Sequence, residues 1–178
     1  PIAVDPSSLM AWEANLETML IEPEYRQVST DPEALQDALA EAEQAVEASP
    51  EDGAAHARLA QVLTDLGRIE EAIEHAGRAS ELAPEEGSYA GILGFALLAA
   101  GRPAEAGEQF DLALEAEPEN AQWRLGKALI ALGGRDATRA VDMLQELVGL
   151  EPDNAIVKAY LAAANLRIGD LEGAAEAA

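Results

Sequence analysis

The sequence predicts an all-α solenoid of antiparallel helix pairs, and three observations predict it. Prolines recur 34 residues apart at Pro50, Pro84, Pro118 and Pro152, closing the phrases S-P-E-D, A-P-E-E, E-P-E-N and E-P-D-N. A second ladder keeps the same period through Ala38, Ala72, Ala106, Ala140 and Ala174. Strand signals are essentially absent. A fixed period of this size marks one supersecondary unit stacked on copies of itself. The 178 residues therefore read as one solenoid of about ten helices.

The first element is a helix over roughly residues 7–21, with Leu9, Trp12, Leu16, Met19 and Leu20 on one face. A long linker follows. Residues 1–30 are expected to be a capping helix or a ligand-like helix with that linker. The next helix opens with Asp31 as N-cap and Pro32 in its first turn, carries Ala38, Ala42 and Ala45, and stops before Pro50. It forms a half repeat over 31–52. Two clean copies come next, over 53–86 and 87–118. In each, an apolar helical pattern runs to a glycine, Gly67 or Gly101, which suits the left-handed residue past a helix end. A second pattern follows at once and stops before proline, which cannot donate a backbone bond. Helices this short are marginal alone, so their apolar faces need the neighbouring copies.

These copies resemble the tetratricopeptide repeat. The residues that carry the resemblance are Leu59-Ala60, Leu63, Gly67, Ala72, Ala79 and Pro84, then Leu93-Gly94, Leu97, Gly101, Ala106, Phe110, Ala113 and Pro118. The third copy, 119–154, departs from the pattern. Leu125-Gly126, Leu129 and Gly133 come two residues early, whereas Ala140, Leu144, Leu147 and Pro152 are on time. A shortened entry turn offset by a longer loop at Gly133–Asp136 is expected, because a gap-free register puts Arg124 and Lys127 at packing positions. Leu125 and Leu129 should then be buried. The truncated last copy, 155–178, offers Leu161-Ala162, Gly169 and Ala174. The resemblance covers about residues 31–178. It implies a right-handed superhelix and a role in binding other proteins.

Composition narrows the function. The formal charge is −23, from 34 acids and 11 bases, and only Lys127 and Lys158 are lysines. Such a field repels phosphate, which argues against nucleic acid and against an anionic membrane surface. No apolar run approaches the ~20 residues that span a bilayer. The acid excess reads either as solvated helix faces, such as Glu70, Glu71, Glu74 and Glu81, or as adaptation to high salt. The absence of cysteine excludes disulfide and thiolate chemistry and leaves the compartment open between cytoplasm and periplasm. A chain that starts at Pro1 and stops inside a repeat reads as a piece of a longer protein.

Catalytic signals are weak. His75 lies four residues after Glu71, a spacing that serves a surface contact or two metal ligands, and no third ligand is identifiable. His56 stands at the start of another helix. There is no Gly-rich phosphate loop, since Gly133-Gly134 suits a helix stop, and no nucleophile with a base at recognisable spacing. No enzyme activity, cofactor or metal is expected.

The first helices of tetratricopeptide arrays line a concave face, so the resemblance assigns the residues between packing positions to a groove. They include Arg58 and Gln61, then Ile92, Phe95 and Leu98, then Trp123, Arg124 and Lys127, then Tyr160 and Arg167. Three of the seven aromatics and four of the eleven bases fall in this set. An aromatic groove edged by cations suits a peptide or helix of another protein, with an acidic segment favoured. Packing of the aromatics between helices, with the bases paired to acids, is the alternative. Some family members clamp a peptide carboxylate through Lys, Asn and Arg. The first two copies here offer Ala57, Arg58 and Gln61, then Gly91, Ile92 and Phe95, which is not that set. Two other roles stay open: self-assembly with the groove filled by an N-terminal helix, and a targeting arm of a larger enzyme.

Overall fold

The computed structural model describes residues 32–134, 136–170 and 173–174. Within them lie eight α-helices: α1 (Pro32–Ala48), α2 (Gly53–Asp65), α3 (Ile69–Leu82), α4 (Gly87–Ala99), α5 (Pro103–Ala116), α6 (Ala121–Gly133), α7 (Ala137–Leu150) and α8 (Ala155–Ile168). The main packing is between neighbours in the chain, with first helices also touching across copies, α2 with α4 and α4 with α6. This is a helical repeat solenoid. The expected N-terminal helix and its linker, with Asp31, lie outside the described residues.

Local chemistry sets the period. Two first helices start behind an asparagine whose side chain accepts from backbone N–H groups of the first turn: Asn120 from Gln122 at 2.9 Å, and Asn154 from Ile156 at 3.0 Å. Each asparagine in turn donates to a glutamate three residues earlier, Glu117 or Glu151. Asp52 caps α2 in the same way through Ala54 N–H at 2.9 Å. The exits are equally regular. Gly67, Gly101 and Gly169 have φ of 73°, 71° and 81°. The next N–H returns to the last turn, as in Arg68 to Leu63 O at 2.8 Å and Arg102 to Leu97 O at 2.9 Å. These bonds satisfy carbonyls that a helix end would leave open.

The alanine ladder lies at the helix contacts. Ala72, Ala106 and Ala140 are fully buried, and Ala38 in the half repeat is half-buried. Phe110 is fully buried beside Ala106 and Ala113.

The third copy is half as expected. Its buried face does come two residues early: burial along Trp123–Ile130 repeats that along Gly91–Leu98 residue for residue, 32 positions later. Leu129 is buried, whereas Leu125 is half-buried, as is its counterpart Leu93. Neither Arg124 nor Lys127 is buried. The expected change in turn and loop is not there. α6 starts 34 residues after α4, its entry turn has the same four residues as the others, and its exit loop has the same three. The reason is the cap. The E-P-E-N turn fixes the helix start, so the sequence shift moves the buried face two steps around the helix, about 200° at 3.6 residues per turn. Gly133 ends the helix and Gly134 caps it, its N–H bonded to Ile130 O at 3.0 Å.

Replacing Ala106 by Leu should destabilise the protein by about 1–3 kcal/mol through overpacking. Chemical denaturation checks this, and an unchanged midpoint would show that the site has room.

Candidate functional site

On α4, Ile92, Phe95 and Leu98 are spaced three apart and are half-buried, so they form one apolar ledge. The Phe95 ring meets Phe110 edge-on, with centroids 4.9 Å apart and planes at 73°, and lies 6.0 Å from the Trp123 ring. This orientation uses the aromatic quadrupoles favourably and fixes the ring in place. Ile130 of α6 packs against the same cluster.

Two expected groove residues do not line a groove. Trp123 is only 5% exposed and Tyr160 only 7%. The indole lies over Gly91 of α4. A Cβ at Gly91 would stand 2.5 Å from Trp123 Cε3, so the missing side chain is what admits the ring. Trp123 Nε1 donates to Glu117 Oε2 at 3.2 Å, which satisfies its one polar group at the edge of the core. Tyr160 packs with Leu129, Leu132 and Leu144 in the C-terminal core cluster. Both rings support the array from inside, which corrects their assignment as accessible anchors.

The expected cations all have partners within the chain. Exposed Arg58 pairs with Glu41 at 3.4 Å. Arg124 donates to Pro118 O at 3.0 Å and pairs with Glu119 at 2.9 Å. Lys127 pairs with Asp111 at 2.7 Å, and exposed Arg167 donates to Leu132 O at 2.6 Å. In so acidic a chain these four bases find local acceptors. Exposed pairs of this kind are individually weak and exchange readily. Gln61 on α2 is exposed.

Sequence spacing also mispairs the histidines. Glu71 is taken by Arg68 through two bonds, at 2.7 and 2.6 Å, which hold its carboxyl below the ordinary range. His75 instead faces His56 of α2, with 2.9 Å between the two Nδ1 atoms and the rings stacked at 5.1 Å. The other nitrogen of His56, Nε2, lies 3.0 Å from Pro50 O. Burial, and then the nearness of His56, pushes His75 below the usual imidazole range. His75 also lines a cavity of about 270 Å³ between α1, α2 and α3, with Val46, Leu59 and Leu63 as apolar wall and Glu43, Glu47, Arg68 and Glu71 around it. Residues 19 apart on antiparallel helices share no local pattern, so nothing in the sequence signalled this pair. Among the described residues, no group of three or more His, Asp or Glu side chains is placed to hold a metal ion. No described helix is long and apolar enough to cross a membrane.

Comparison with known proteins gives the same architecture. One tetratricopeptide repeat family model matches residues 31–94, and a second matches 93–155 and 125–178. No curated protein matches the sequence. Among solved structures, a thermophilic tetratricopeptide repeat protein of Thermus thermophilus superimposes with a TM-score of 0.72 at 22% identity, over 80% of this chain and 79% of that one. A tetratricopeptide repeat protein of Parabacteroides merdae gives 0.71 at 18% identity, over 96% and 70%. MamA of Desulfovibrio magneticus, residue 41 to the end, gives 0.68 at 19% identity, over 95% and 90%. At these identities the likeness shows the fold. The family models, covering the whole helical array between them, place the chain in the tetratricopeptide repeat family, whose members are in general non-catalytic scaffolds for protein–protein interaction.

Proposed function

We propose that the first helices of the array bind an extended or helical segment of another protein, with the Ile92–Phe95–Leu98 ledge of α4 as the contact. The observation that carries this is the state of Phe95: half-buried, yet fixed in orientation by Phe110 and Trp123. A rigid ring with accessible surface loses little entropy on binding and makes an efficient anchor. Buried Trp123 supports the ledge through Phe95, and neither Trp123 nor Tyr160 offers surface for contact. Arg58 and Gln61 lie exposed on α2, and Lys127 and Arg124 are half-buried on α6. Because these bases are paired at the surface, an acidic residue of the partner can replace Asp111 or Glu119 without stranding a charge, which makes capture salt-sensitive. Self-assembly through the same ledge is the competing reading.

A displayed peptide library selected on the protein, followed by titration of the recovered peptides, tests this. Ile92→Lys should weaken binding at least about tenfold, or ~1.4 kcal/mol. Glu108→Lys, at an exposed position of second helix α5, should leave it within about twofold. Equal affinity for Ile92→Lys and wild type would remove the ledge from the binding site. Light scattering on the same samples separates a partner from a second copy.

A further inference from the structure

We infer that His56 and His75 form a proton-operated latch at the N-terminal end of the array, closed with one shared hydrogen bond and opened when both rings are protonated. The hydrogen-bond geometry defines the closed state. Pro50 O can only accept, so His56 Nε2 carries the proton that faces it. His56 Nδ1 is then bare, and His75 Nδ1 must donate to it across 2.9 Å. His75 is thereby held in its Nδ1–H form with Nε2 as a free lone pair. A first added proton goes to His75 Nε2 and leaves the bond between the rings intact. A second has only His56 Nδ1 to enter. It would set two N–H groups head to head on two cations 2.9 Å apart, and the rings must part.

The latch ties together three elements. Pro50 lies in the turn between α1 and α2, His56 on α2 and His75 on α3. Arg78 of α3 holds the same turn through Glu51 at 3.0 Å. The charged and titratable groups around the pair are Arg68, Glu71 and Glu74 with α3, Glu43 and Glu47 from α1, Glu51 and Asp52 in the turn, and the neutral Tyr89 phenol of α4 beside Gly53. The acids favour a first proton; none of them supplies an acceptor in place of His56 Nδ1 at the ring contact. Burial and the neighbouring ring lower His75, so the folded state binds fewer protons than an open chain with ordinary histidines near 6.5. The stability that comes from burying neutral His75 is therefore complete above about pH 6.5 and is lost as pH falls through its lowered folded value.

The chain has two histidines, so ring nitrogens can be assigned by NMR without ambiguity. At pH 8, ¹⁵N shifts should show His75 as the Nδ1–H tautomer and His56 as Nε2–H. Between pH 8 and 5, hydrogen-exchange protection of the Asp52 amide, which bonds Ser49 O at 3.0 Å, should fall at least about tenfold once corrected for intrinsic exchange. In His75→Phe that loss should disappear, and the comparison cancels the titration of the many carboxylates. His75 found as the Nε2–H tautomer at pH 8 overturns the latch. So does an Asp52 amide whose protection changes equally with pH in wild type and His75→Phe.

Discussion

Phe110 of α5 is clasped between two helices at points where neither has a side chain, Gly94 of α4 and Gly126 of α6. A Cβ added at Gly94 would lie 2.8 Å from Phe110 Cε1, and one at Gly126 would come closer still to the ring. The ring is fully buried as a result, and it is the largest side chain to be so among the described residues. Everything at the centre of the solenoid follows from this wedge. With α6 turned so that Gly126 faces Phe110, Trp123 falls one helical turn earlier, on Gly91. Phe95 is then caught between the two aromatic residues, and the ledge beside it acquires its shape.

The same contact explains which part of the third copy could be read from the sequence. The early Leu125-Gly126 and Leu129 signalled the change of face correctly, because packing positions carry their own residue types. They could not reveal that the loops keep their lengths. Those are fixed by a separate device, the Glu-Pro-x-Asn turn, whose asparagine caps the next helix at the same spacing in both copies. Two local rules with different periods, 34 for the caps and 32 for this one buried face, coexist because a helix can be turned about its axis without moving its ends. The ladders, the glycine exits and the proline turns were legible because each depends on only a few adjacent residues. The burial of Trp123 was not, since its cause, the bare backbone at Gly91, lies in another helix. The pairing of the two histidines was hidden for the same reason.

Charge plays a different part. Most acids lie on exposed helix faces, where the ion pairs that they make are solvated and hold the fold together only weakly. What they decide is the state of the bases. Every cation expected to edge a groove already rests on an acceptor of its own chain, so the chemistry left accessible on the first helices is mainly the apolar side of α4 with exchangeable charges around it. Stability comes from alanine-spaced helix contacts and the aromatic wedge, which also holds still the half-buried residues proposed for recognition.

A double-mutant cycle between Gly126 and Phe110 tests the wedge most directly. Alanine is the better helix former by about 0.8–1.0 kcal/mol, so Gly126→Ala in an unconstrained helix should stabilise. In wild type it should instead destabilise by ~1–3 kcal/mol, because the new methyl group meets the Phe110 ring. In a Phe110→Leu background the same change should become neutral or stabilising, which leaves a coupling of about 1 kcal/mol or more. Additive effects, or Gly126→Ala stabilising the wild-type chain, would show that Phe110 does not set the face that α6 presents.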